Sequence, residues 1–396
     1  MTAIPRPRTY EGPPVLSYGF RPFFLIGAIY AALAILVWLP RYFGELTLGG
    51  VFSPLAWHTH EMLFGFLPAI ITGFLLTAIP NWTGRLPLQG TTLLALLSIW
   101  LLGRAAIGVS AIIGWLPAMT IDCAFLAVVA ATVTREIVAG KNWRNLKVVA
   151  ILVLLLAANA GFHLEAHYTG NASYAERAGV ALVLLLVMLI GGRIVPSCTH
   201  NWLVKMNLAR PPASNERIDR AIVGITLVAL LAWVISPSLL LAGVALLLAA
   251  AAQSARLASW AGWRAWRNPL VLILHIAYGF VLLGFALSGA AVFYPDVISA
   301  SAGVHAWTAG AMGGMILAVM TRASLGHTGR ELRADLVTNC LYAAILVSAA
   351  TCVSAALDPS HAPSLLVVSG LARITAFLGF AMSYGPVLAR PRLSAQ

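Results

Sequence analysis

Twelve apolar runs, each long enough to cross a lipid bilayer, constrain this chain more than any other feature of its sequence. A hydrocarbon core about 30 Å thick takes about 20 residues of helix. No water is present there to serve open backbone groups, so each run must satisfy its own N–H and C=O groups as a helix. The fold class expected is therefore all-α, a polytopic membrane protein of about 12 transmembrane helices. The spans fall at approximately 17–40, 56–80, 91–113, 115–138, 146–168 and 173–198 in the first half. In the second half they fall at roughly 217–235, 237–257, 268–293, 303–322, 334–356 and 363–389. Composition agrees, with 60% hydrophobic and only 10% charged residues, against about 25% charged in a soluble domain. The first run begins after Phe20-Arg21-Pro22, too late and too long for a cleaved signal peptide, and is expected to stay. Residues 1–396 read as one transmembrane bundle, with a polar loop near 203–219.

Basic loops face the cytoplasm. With both termini inside, twenty-one arginines and lysines fall on the cytoplasmic side, from Arg6 and Arg8 through Arg210 to Arg390 and Arg392. Only Arg41 and Arg177 fall outside, while Arg104 and Arg373 lie within helices. Both termini are expected on the cytoplasmic side. Topology and contact with anionic lipid account for the formal charge of +12, and nothing points to nucleic acid. The four cysteines, Cys123, Cys198, Cys340 and Cys352, lack zinc-type pair spacing and read as core packing. Trp57, Trp82, Trp202, Trp263 and Trp307 read as an interfacial belt.

The histidines carry the chemistry. His58 and His60 open helix 2, His163 and His167 close helix 5, and His305 opens helix 10, all toward the outer face. His275 lies inside helix 9, while His200, His327 and His361 sit near aqueous boundaries. Polar rings within a membrane are costly, which makes them functional candidates. His58 and His60 project about 200° apart on a helix and so serve different neighbours. His163 and His167 share a face and could converge on one ion, an arrangement better suited to copper than to haem. Imidazole binds iron, copper and zinc alike. Glu61, Asp122 and Glu165 lie close by as candidate proton carriers or orienting acceptors. A second reading is a proton-coupled transporter of a small solute. Related cytoplasmic ends recur in helices 2, 6 and 10, which suggests three four-helix units in a pseudo-threefold arrangement.

Several motifs in order resemble the NnrS family of bacterial membrane proteins: Phe20-Arg-Pro-Phe-Phe24, Trp57-His-Thr-His-Glu-Met-Leu-Phe-Gly-Phe66, Pro80-Asn-Trp-Thr-Gly-Arg85 and Gly191-Gly-Arg193. Leu274-His275, His305, Gly313-Gly314 and Met320-Thr-Arg-Ala-Ser-Leu-Gly-His-Thr-Gly-Arg330 continue the likeness. This resemblance implies a twelve-helix inner-membrane protein containing haem and copper, linked to nitric oxide metabolism and resistance to nitrosative stress. It supports His58, His60, His163, His275, His305 and His327 as motif positions. The His-x-His and the repeat also resemble the catalytic subunit of haem-copper oxidases, although no adjacent His-His pair is present. The expectation is a haem bound by His60 and His305, with His58 and His275 as further candidates. Copper is expected among His58, His60, His163, His167 and His305. Glu61, Asp122 and Glu165 would assist proton movement, and the electron donor is unknown.

Overall fold

The computed structural model describes residues 10–208 and 216–393, and among these no strand is present. Twelve helices are long and apolar enough to cross a membrane. They are α1 (Phe20–Tyr42), α2 (Pro54–Thr83), α3 (Thr91–Gly108), α4 (Trp115–Ala139), α5 (Trp143–Thr169) and α6 (Ser173–Lys205). Then come α7 (Glu216–Ile235), α8 (Leu240–Ser259), α9 (Pro269–Phe293), α10 (Ala300–His327), α11 (Leu336–Leu357) and α12 (Ala362–Ala389). The expected number and order of spans are found. Arg6, Arg8 and Arg210 lie outside the described residues, as does the middle of the expected polar loop, whose first part continues α6.

Local sequence sets the helix boundaries. Ser53 caps α2 by accepting from Ala56 N, with Pro54 in the first position. Asn268 and Pro269 start α9 in the same way, since proline there sacrifices only an N–H that has no helical partner. Gly84 ends the helical part of α2 at φ +71°, a conformation that costs an L side chain dearly. Leu241 and Met382 are 74% and 71% exposed. Such side chains would form an aggregating surface in water, but face lipid at no cost.

The chain divides into two compact units, the boundaries falling within α6, α10 and α12 and in the loop between α10 and α11. In the first, α1 packs on α2, α2 on α4, and α4 on both α3 and α5. In the second, α8 packs on α7 and α9, while α10 packs on α9 and α11.

Two helices depart from α geometry in a related way. In α2 a π-helical turn, Glu61–Phe66, follows His60 directly, and in α10 another, Ala306–Met312, follows His305 directly. Pro68 explains the first. It has no N–H to offer, and its ring would strike the carbonyl four residues back in a regular helix, so the preceding turn widens. The second contains Gly310, where a Cβ would run into the Phe280 ring. Helix α6 is α-helical throughout.

Trp307 corrects the expected aromatic belt. It is fully buried, its indole N–H donating to Val281 O at 3.0 Å, with Trp233 and Phe285 set edge-on against it. Its place in the widened turn of α10 directs the ring inward. Trp57 is buried too, under the Arg41 guanidinium.

Candidate metal centre

Five helices of the first unit direct polar side chains to one buried point. The π turn of α2 lets two consecutive residues, His60 and Glu61, reach it together, with His60 Nδ1 2.9 Å from Glu61 Oε1. Helix α3 supplies Arg104, which donates from Nη1 to Glu61 Oε1 at 2.7 Å and from Nη2 to Asp122 Oδ1. Asp122 comes from α4. From α5, Asn159 donates to Asp122 Oδ2 at 2.7 Å, and His163 Nε2 lies 3.2 Å from the same oxygen. Tyr30 on α1 donates its hydroxyl hydrogen to Glu61 Oε2. His60, Glu61, Asp122, Asn159 and His163 are each at most 2% exposed.

Close approach of the backbone is part of the construction. A Cβ on Gly65 would stand 2.5 Å from Arg104 Nη1 and 3.1 Å from Glu61 Oε2. The Gly65 carbonyl accepts from Trp100 Nε1 at 2.9 Å, which ties α3 to the widened turn.

The hydrogen bonds around His60 impose a chemical condition. Its Nδ1 faces a carboxylate oxygen, and its Nε2 faces Asn159 Oδ1 at 3.1 Å and Asp122 Oδ2 at 3.3 Å. The amide orientation of Asn159 is set by the bond its nitrogen donates to Asp122, so both ring nitrogens of His60 face acceptors. A neutral imidazole has one N–H. The contacts are satisfied only by a second proton or by a cation at one nitrogen. Charge points the same way, because two carboxylates meet a single guanidinium. With both ionised, the group carries one negative charge in excess, in surroundings where uncompensated charge is expensive.

His60, Asp122 and His163 each offer a ligand atom within 4.8 Å of the others. Two imidazoles and a carboxylate suit a borderline divalent cation such as copper, and Glu61 and Asn159 are placed to orient the ligands. His163 Nδ1 is buried without a protein partner, which leaves that ring nitrogen open. Copper therefore fits this donor set. Haem at His60 does not. Phe52, Phe64, Phe162 and His163 surround its ring at centroid distances of 5.0, 5.7, 5.3 and 5.0 Å. That leaves no approach for a macrocycle.

The other candidates have separate surroundings. His58 stacks on Trp38 with ring centroids 4.1 Å apart, and His167 stacks on Trp115 at 4.2 Å. The partner of His163 on the shared face of α5 is thus Asn159, one turn before it, rather than His167, one turn after. Glu165 accepts from Tyr174 N and Ala175 N at 3.0 and 3.1 Å, so its carboxylate holds the first turn of α6. In the second unit His275 Nε2 lies 2.8 Å from Thr199 Oγ1, and His305 contacts Cys352. Arg104, Asn159 and Tyr30 belong to the site without having been singled out for it. An arginine within an apolar run was the available signal for Arg104, since it demands acidic partners. Nothing in the sequence marked Tyr30.

No curated protein matches the chain in sequence. The family described as NnrS protein matches it over residues 14–392. That span takes in all five helices of the site, and the chain is a member of the NnrS family.

Proposed function

We propose that this protein is a copper-dependent redox protein of the bacterial inner membrane, acting in nitric oxide metabolism or in resistance to nitrosative stress. The metal is held by His60, His163 and Asp122 near the periplasmic side. One observation carries this reading: both ring nitrogens of His60 face acceptors within a buried group in which two carboxylates share a single guanidinium. A cation answers both demands at once. Bound copper would supply a one-electron couple and an attachment point for a small diatomic gas that dissolves readily in lipid.

The chain's own residues would do the rest. Arg104 holds the two carboxylates apart and in register. Glu61, fixed by Tyr30 and Arg104, orients His60 from Nδ1 and accepts a proton there. Asn159 sets the spacing between His60 and Asp122. Phe52, Phe64 and Phe162 exclude water and lower the local dielectric. The haem that the family resemblance implies would need a ligand other than His60.

The test is electron paramagnetic resonance of the purified, copper-loaded protein before and after anaerobic addition of nitric oxide. The expected result is a copper signal with nitrogen couplings that nitric oxide alters. A signal indifferent to nitric oxide would overturn the proposed ligand.

A proton-coupled transporter is the second reading, favoured by the unbroken polar path from Tyr30 through Glu61, His60 and Asp122 to His163. It requires substrate-dependent flux in proteoliposomes and no stoichiometric metal.

A further inference from the structure

Where α1 starts and α10 and α12 finish, the backbone of the first unit brings three arginine-bearing segments together. Arg21, the second residue of α1, is 2% exposed and donates from Nη1 to Leu388 O at 2.7 Å and to Arg390 O at 2.6 Å. The chain beyond α12 then pairs with the chain beyond α10, Leu393 N donating to Thr328 O at 3.0 Å. Gly329 permits that approach at φ +77°, since a Cβ there would stand 2.7 Å from Leu393 O. Arg330 folds back under α10 through its own N–H, which donates to Leu325 O at 2.9 Å. The Phe20 ring lies 5.4 Å from the His327 ring, which ties the start of α1 to the end of α10.

Three polar atoms at this junction are buried without a protein partner among the described residues: Arg21 Nε, Arg330 Nη1 and Ser324 Oγ. Ser324 is fully buried in the last turns of α10, and the next residue, Leu325, is the one whose carbonyl accepts from Arg330 N. The charged side chain acting on Arg21 is a second cation, Arg330, and no carboxylate pairs with either among the described residues. Glu331 follows Arg330 in sequence but is exposed. Carbonyls at the end of α12 attract Arg21, yet they leave its Nε unserved. Two guanidinium groups and a hydroxyl, in surroundings poor in water, form the donor set of a phosphate group, whose oxygens face several directions at once. Basic pockets between transmembrane helices at the polar boundary hold lipid headgroups by this chemistry.

We propose that Arg21, Ser324 and Arg330 form a phosphate site that holds the headgroup of an anionic membrane lipid. Depth favours lipid as the source, because Arg21 sits one residue inside the end of a spanning helix, the level at which the polar headgroups border the hydrocarbon core. The way in passes Arg330, which is half-buried, and the exposed Arg390 and Arg392. Their positive charge draws an anion toward the buried donors. A bound phosphate joins the start of α1 to the segments that follow α10 and α12. No residue of the metal centre takes part, so failure of this site leaves that reading intact.

The test titrates full-length protein in a neutral detergent with phosphatidylglycerol, with diacylglycerol of the same chains and with inorganic phosphate, read by native mass spectrometry and thermal unfolding. The wild type is expected to bind phosphatidylglycerol at a saturable site, to melt at a higher temperature with it, and to show no such site for diacylglycerol. Arg330→Gln should weaken that binding at least about tenfold, and Ser324→Ala severalfold. Arg330→Lys should lose less than Arg330→Gln, because a cation remains while the planar fork is lost. Arg267→Gln, which removes an exposed arginine of the second unit, should leave the binding unchanged. Affinity in folded Arg330→Gln equal to that in Arg267→Gln overturns the proposal. So does wild-type protein that binds diacylglycerol as tightly as phosphatidylglycerol, a comparison that needs no variant to fold. Inorganic phosphate that fills the site while phosphatidylglycerol does not would overturn the lipid as its source.

Discussion

Asn159 and His163, one helical turn apart on α5, both meet Asp122 Oδ2, at 2.7 and 3.2 Å. The amide is the element that orients the group, because its oxygen faces His60 while its nitrogen holds the carboxylate. Asn159→Ala should therefore weaken metal binding about 10- to 100-fold, the usual effect of losing an outer-shell partner. Chelator competition measures this directly, and an unchanged affinity would show that the amide has no orienting role.

Arg104→Gln would leave Glu61 and Asp122 buried without their counter-charge. Removing one partner of a buried ion pair typically costs about 3–5 kcal/mol. A matching loss is expected in detergent unfolding experiments. Adding Asp122→Asn should recover part of it, and a double-mutant cycle in which the two losses simply add would argue against the contact.

Pro68→Ala restores an N–H to α2 and removes the clash that widens the turn at Glu61–Phe66. Stability and binding should then move in opposite directions. The melting temperature is expected to hold or rise, since interior proline costs a helix about 3 kcal/mol. Metal affinity should fall, because a regular helix separates consecutive residues by about 100° and draws Glu61 away from His60. A variant that keeps full affinity would show the π turn to be incidental.

Asp335 sits outside the membrane, where it caps α11 by accepting from Thr338 N at 2.8 Å and Thr338 Oγ1 at 2.6 Å. The Thr338 side-chain and backbone hydrogen bonds hold its carboxyl below the usual carboxylate range. A depressed pKa stabilises the fold above the unfolded value, and that stability is lost as pH falls through the folded one. Asp335→Ala should cost about 1 kcal/mol at neutral pH. In unfolding curves measured at descending pH, the gap from wild type should close below the ordinary carboxylate range. A gap that stays constant would mean that the charge plays no part in the cap.

The helices were legible because run length and apolar content are properties of the chain taken in one dimension. Pairing within the site was not, because it depends on how α2, α3, α4 and α5 turn toward one another. His163 shows the difference. Spacing pointed to His167, one turn after it, whereas the packing of α4 makes Asn159, one turn before it, the partner. The π turn after His60 left one trace, Pro68 seven residues beyond the start of its motif at Glu61, and that trace resembles an ordinary helix-tolerated proline. Trp307 looked interfacial by depth, and the widened turn of α10 turned it inward. Arg104 was visible as an intramembrane charge, but the identity of its two carboxylates came only with the structure.

The copper content of the purified protein, measured by mass spectrometry for the wild type, His163→Ala and His167→Ala, bears most directly on the metal centre. About one copper per chain is expected in the wild type and in His167→Ala, with almost none in His163→Ala, because three protein ligands are the working minimum for a tightly held ion. A wild-type protein from copper-replete cells that carries no copper, or a His163→Ala variant that keeps all of it, would contradict the assignment of His60, His163 and Asp122 as its ligands.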